Sequence, residues 1–194
     1  MGASADCTHI SLLTHLRYYD YVHPIVPVLP NDPYQLAVAV DAVPANIRQA
    51  FTAAFTIAVK TATSGVVEKE ISVVGNLYLS AKPGRPDTST DILRLQTLIF
   101  LTIAEELHSA ESIHNSPWLG AAVTLANSMK LQKARSSNSE AGATLRRTFL
   151  VLVILDRWLA AAKSGATLIS DENIHLDESD HALLGSAAYH LLRE

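Results

Sequence analysis

The sequence has a single cysteine, Cys7, in 194 residues. One thiol closes no internal disulfide and cannot build a cysteine-rich zinc cluster, which points to a reducing compartment. A basic surplus is missing too, with 15 Lys plus Arg against 19 Asp plus Glu and a net charge of −4. Proteins that grip DNA draw much of their affinity from neutralising phosphates, so no direct nucleic-acid contact is expected. Aromatic residues make up only 6%, although 48% of the chain is hydrophobic. That aliphatic mix suffices for a sizeable core and favours helix-on-helix packing over a β-sandwich. Long hydrophobic runs are also absent. The richest, Phe149-Leu150-Val151-Leu152-Val153-Ile154-Leu155, is bracketed by Arg146-Arg147 and Asp156-Arg157. It falls far short of the ~20 residues that span a bilayer and reads as a buried helix segment, with no membrane partner. Asp6 stands where a myristoylation signal wants Ser or Thr, and no signal-peptide core follows.

Motifs of known chemistry are equally scarce. The sequence contains no His-Glu-x-x-His, no Gly-x-Ser-x-Gly, no phosphate-binding glycine loop and no dinucleotide fingerprint, so no enzyme is expected. Cys7 has His9 nearby but lies close to the amino terminus, a poor place for a nucleophile. Glu-x-x-His occurs three times, at Glu105/His108, Glu111/His114 and Glu172/His175. Di-iron bundles place such motifs on two different helices. The first two here lie six residues apart on one predicted helix, about 240° round its axis, and cannot share a metal. They read as solvated surface residues, and no metal or cofactor is expected.

What is present is helical periodicity. Apolar spacing predicts a helix from about Thr8 to Val22, ended by His23-Pro24 and Pro27. The string Ile25-Val26-Pro27-Val28-Leu29-Pro30 must be extended and reads as a buried connector. Asp32-Pro33 and Pro44 open further helices, the second carrying Ile47, Ala50, Phe51, Ala54, Phe55 and Ala58 on one face. Residues 61–90 read as a loop or variable segment, broken by Gly65, Gly75 and Pro83-Gly84-Arg85-Pro86, in which Ile71-Ser72-Val73-Val74 fits strand or helix. Asp91 is expected to cap a long helix to about Ser112. Ser116-Pro117 restarts one with Trp118, Ala121, Ala122, Leu125 and Met129, a third covers about 143–163, and a last one carries Leu183, Leu184, Ala187, Ala188, Leu191 and Leu192. The expected fold is all-α: one domain over residues 1–194, an irregular array of about seven or eight helices with one Pro-rich connector.

Two groups of residues stand out as sites. Prolines leave the connector with backbone groups that no helix satisfies. Tyr19, Tyr21 and His23 would add polar groups to its apolar wall, the make-up of an effector site. The plainer alternative is that these groups bond to neighbouring helices and His23 is a satisfied interface histidine. Arg146, Arg147, Asp156 and Arg157 read as ion-pair staples between helices. Asp156 is too far along the chain from Arg146 and Arg147 to pair within one helix, so a buried pairing with an arginine of another helix is expected.

Three stretches together carry a resemblance. The first is Tyr18-Tyr19-Asp20-Tyr21-Val22-His23-Pro24-Ile25-Val26-Pro27-Val28-Leu29-Pro30. The second begins at Leu95-Gln96 and passes through Trp118 to Met129-Lys130-Leu131. The third joins Arg146-Arg147-Thr148-Phe149-Leu150, Asp156-Arg157, Gly165 and Ile169-Ser170-Asp171-Glu172-Asn173-Ile174. In order and spacing they resemble the regulatory domain of fungal zinc-cluster transcription factors, the middle homology region. The first stretch and the Leu184-Gly185-Ser186-Ala187-Ala188-Tyr189-His190-Leu191-Leu192 ending look most like regulators of sugar-transporter genes. The resemblance implies a nuclear protein whose DNA is read by a separate six-cysteine, two-zinc module, so zinc is expected there and not in this chain. It implies as partners other domains of the same factor or co-regulators, and a small-molecule effector, with homodimerisation a further expectation. A helical interaction or dimerisation scaffold without ligand is the alternative, and a helical metal-binding enzyme using the Glu-x-x-His motifs stands behind it.

Overall fold

Helix boundaries follow the capping chemistry closely. The computed structural model describes residues 11–30, 32–65, 68–81, 87–109, 116–134 and 139–193. Helix α1 (Leu12–Arg17) starts where the Ser11 hydroxyl accepts the Thr14 amide, and runs directly into a π-helical turn, Tyr18–Val22. That wider turn ends where His23 N–H donates to the Tyr18 carbonyl at 2.8 Å. The connector follows. Helix α2 (Pro33–Asp41) has Asp32 as its cap and proline in its first turn, as the sequence indicates. Helix α3 (Ala45–Ser64) opens after Pro44 and stops at Gly65, whose φ of 76° suits glycine.

Residues 61–90 are not the loop their glycines suggest. Helix α3 continues to Ser64, α4 covers Glu68–Ser80, and α5 covers Thr88–His108. Gly75 does not break α4 but leaves room for Trp118 at the start of the helix over Pro117–Ser128, since a Cβ there would lie 2.7 Å from the indole. Ile71 and Val74 are buried, and Lys60 of α3 pairs with Glu70 at 2.8 Å. The ambiguous Ile71–Val74 stretch is thus helical. Pro83-Gly84-Arg85-Pro86 lies outside the described residues, as do Cys7, Glu111 and His114. Asp87, not Asp91, caps α5, its carboxylate accepting the Thr90 amide at 3.1 Å, and the helix ends at His108, short of Ser112.

Helix α6 (Pro117–Ser128) is capped by Ser116 and buries Leu119, Ala122, Val123 and Ala126, a face rotated from the expected one. Helix α7 (Glu140–Ala162) is capped by Ser139, and α8 spans Glu178–Arg193. Gly185 interrupts α8 with φ 74° and ψ 165°, a conformation close to glycine-only. The break resets the helical phase. Leu184, Ala188 and Leu192 turn inward, whereas Leu191 and Ala187 face outward.

The fold is all-α, with eight α-helices and no strand among the described residues. Helices α3 and α5 form its axis; α4, α6 and α7 pack against α5, and α8 closes over α7. Phe51, Phe55, Phe100 and Tyr18 interlock at the centre, with Phe55 and Phe100 edge to face at 5.3 Å. From Leu95 to Ala104 every residue of α5 is buried, as suits a helix surrounded by others. Among the described residues, no helix is long and apolar enough to cross a membrane.

Candidate functional site

Tyr18 holds the proline connector in place. Its fully buried hydroxyl donates to the Val26 carbonyl at 3.3 Å and accepts the Leu29 amide at 3.1 Å. His23 Nδ1 lies 3.1 Å from the same oxygen. Burial pushes the Tyr18 phenol above its ordinary pKa, so it stays neutral and keeps its proton to donate. Gln96 of α5 donates from Nε2 to the Val28 carbonyl at 3.3 Å and to Thr148 Oγ1 of α7 at 3.4 Å. Tyr19 donates to the Pro30 carbonyl at 2.5 Å. Side chains thus meet the Val26, Val28 and Pro30 carbonyls and the Leu29 amide, while the backbone turns on itself to meet the rest: Ile25 and Val26 donate to the Val22 carbonyl and Val28 to that of Val26.

The expected effector trio is divided by this arrangement. Tyr19 and His23 lie ring to ring, centroids 4.9 Å apart, and engage the connector from the Tyr18 side. Tyr21 is 61% exposed and lines a cleft of about 210 Å³ with Ile25 and Val26. Its other walls are Ala62 at the end of α3, Thr102, Ile103, Glu106 and Leu107 of α5, and Leu155, Trp158 and Leu159 of α7. The cleft is thus bounded by the connector and three core helices. Trp158 stands half-exposed at its edge, and a wider depression beyond it shares Ile25 and Val26 and is rimmed by Arg157 and Asp171.

Glu106 is the one charged side chain among the described walls of the cleft. It is buried, with Oε2 at 2.5 Å from Lys163 Nζ and Oε1 accepting the Ser116 amide at 3.1 Å. Neighbouring Glu105 accepts a short hydrogen bond from the Ser116 hydroxyl. These carboxylates therefore fasten the start of α6 and the end of α7 to α5. Among the described residues, no group of three His, Cys, Asp or Glu side chains is placed to hold a metal.

The four charges around the apolar run of α7 have separate tasks. Arg146 is buried against Asp180 of α8, at 2.8 Å from Nε and 2.6 Å from Nη2. It also donates to the carbonyls of Ala134 and His175. Arg157 reaches the Asp171 carboxylate at 2.7 Å and the Leu192 carbonyl at 2.8 Å. Asp156 is buried but, contrary to expectation, pairs with no arginine among the described residues. Its carboxylate accepts the backbone amides of Leu168 and Ile169, at 2.8 to 2.9 Å. The chain leaving α7 doubles back over the helix end and brings its unpaired N–H groups to the acid. Arg147 meets no carboxylate among the described residues either. Its Nε makes a long bond to the Leu183 carbonyl, 3.4 Å, and Nη1 meets no acceptor among them. Burial draws its pKa below the ordinary arginine value, against the pull of Glu140.

Sequence reasoning missed Tyr18, Gln96, Glu106, Lys163 and Trp158. Gln96 carried a usable signal, being an uncharged polar residue within the inward stripe of α5. Glu106 and Trp158 carried none, because their role depends on which elements meet.

The comparisons with known proteins fit this architecture. Residues 74–180, more than half of the chain, match the profile of the fungal specific transcription factor domain. The match takes in α5, α6 and α7 whole, with Trp118, Arg146, Asp156 and Asp180. Over 91% of its length the chain is 30% identical to an uncharacterized transcriptional regulatory protein of Schizosaccharomyces pombe, of which it spans 22%. No solved structure matches. The profile match, covering more than half of the chain and running the length of α5, α6 and α7, places this chain in the fungal specific transcription factor domain family.

Proposed function

We propose that the chain is the regulatory domain of a fungal transcription factor, acting in the nucleus on a DNA-binding module carried elsewhere in the factor. Family membership supports a role in transcription regulation. The net charge of −4 and the single cysteine support an indirect one, with DNA read and zinc held by a separate module. The carrying observation is the cleft between the connector and Trp158. An occupant there touches the connector, α3, α5 and α7 together, and so favours one arrangement of those elements over others. The resemblance to regulators of sugar-transporter genes supports such genes as targets.

A reporter tests this directly. The chain is fused to an unrelated DNA-binding module upstream of a reporter gene, and Ala62, exposed at the cleft, is changed to Trp. Reporter output should shift several-fold in the variant at equal protein level. The unfused chain should give no sequence-selective, salt-resistant shift of duplex DNA. Unchanged output in the variant, or such a shift, counts against the proposal. A second reading, a docking scaffold for co-regulators or a second copy, draws support from the exposed apolar groups Ile25, Trp158 and Leu191 around the wider depression. Light scattering with and without candidate partners separates it from ligand sensing.

A further inference from the structure

We propose that the cleft at Trp158 binds one small, uncharged, apolar ring compound bearing a hydrogen-bond donor, between phenol and indole in size. The proposal rests on the reading of this chain as an effector-responsive domain and names the class of effector. Size comes first. An apolar cavity of about 150 Å³ holds one benzene ring. A cleft of about 210 Å³ has room for one ring or a small fused pair.

Lining chemistry then narrows the class. Most of the described walls are aliphatic or aromatic. The Thr102 hydroxyl is engaged with the Leu98 carbonyl at 2.9 Å. A sugar seated here would bury hydroxyl groups with few partners, which is costly. No cationic side chain stands among the described walls, so a phosphate or carboxylate seated there would lack a counter-charge. An ammonium ligand is no better matched, since Glu106 is already neutralised by Lys163 at 2.5 Å.

A donor on the ring is what Glu106 can still use. A carboxylate has about four acceptor positions. Among the described residues two of them are taken, on Oε1 by the Ser116 amide and on Oε2 by the Lys163 ammonium, and Glu106 lines the cleft. A phenol O–H or indole N–H directed at it would form a charge-assisted hydrogen bond inside an apolar enclosure. Tyr21, Ile25 and Trp158, each half-exposed or more, would lose water contact as the ring enters. The gain would fall on groups that join the connector to α7, so the same contact would read the ligand and hold the connector.

The experiment uses the 194-residue chain and named probes: phenol, indole, toluene, glucose and glucose 6-phosphate. Differential scanning calorimetry and amide chemical-shift mapping are run on wild type, Ala62→Trp and Trp158→Ala. Phenol and indole should raise Tm steadily with concentration, by about 3–6 °C at a tenfold excess over Kd. They should also shift amides of Tyr21, Ile25, Ile103 and Glu106. Toluene, with no donor, should bind at least tenfold more weakly. Glucose and glucose 6-phosphate should leave Tm flat, and both variants should weaken phenol binding at least tenfold. Should Ala62→Trp fail to fold, the wild-type shift map and Trp158→Ala decide. Ring probes that move no cleft amide, or toluene binding as well as phenol, overturn the ligand class. If glucose 6-phosphate instead gives a Tm rise lost in Trp158→Ala, the class is wrong while the sensing reading stands. If no probe binds and the cleft-filled variant leaves reporter output unchanged, both fail.

Discussion

Adjacent arginines on one helix face opposite energetic situations. Arg146 is matched by the buried Asp180 carboxylate, so Arg146→Met would strand that charge. Removing one member of such a pair costs about 3–5 kcal/mol, and the urea midpoint should fall accordingly. Among the described residues, buried Arg147 has a long bond to the Leu183 carbonyl and no carboxylate, so little offsets the cost of its guanidinium leaving water. Arg147→Met should therefore hold or raise the midpoint, by up to about 1–2 kcal/mol. A loss as large as that of Arg146→Met would mean that Arg147 has a partner of comparable strength. Asp156 depends on neither arginine. Asp156→Ala leaves the amides of Leu168 and Ile169 without their acceptor, at a cost of about 2–4 kcal/mol. Amide exchange at Leu168 and Ile169 should quicken first, before the rest of α7 is exposed.

At the scale of elements, two glycines separate backbone strain from crowding. Gly185 breaks α8 at φ 74°, and a Cβ there meets nothing within 4 Å. Gly185→Ala therefore pays only the strain of a disfavoured backbone, about 1–3 kcal/mol, read as a lower Tm with the fold retained. Gly75 is ordinary helix, and its Cβ would meet Trp118 at 2.7 Å. Gly75→Ala must move the indole, which a shift of Trp118 fluorescence would report. The two look alike in the sequence, each a glycine inside an apolar pattern. Spacing and capping residues located most helices, as at Asp32-Pro33 and Ser116-Pro117. They failed at residues 61–90, where a glycine taken for a break proved to be a contact point between helices.

For the whole molecule, the buried cluster runs unbroken from Tyr18 to Leu192 and joins the connector to the last helix. One cooperative calorimetric transition is expected, with the connector and α8 protected to the same degree. Two resolved transitions would divide the chain into separate units. Composition by itself determined the class of protein. An aliphatic, cysteine-poor, slightly acidic chain with helical periodicity folds as packed helices. The order of the tyrosine-proline string, Trp118, the paired arginines and Asp156-Arg157 carried the family, because linear order survives in a sequence. What only the tertiary structure decided is who meets whom. It assigned Tyr18 and Gln96 to the connector, gave Asp156 two backbone amides in place of an arginine, and set Trp158 across a cleft from Tyr21. The physical reason is that periodicity reports which face of a helix turns inward, whereas a hydrogen bond between residues 68 positions apart, such as Gln96 to Val28, exists only once packing has chosen the neighbours.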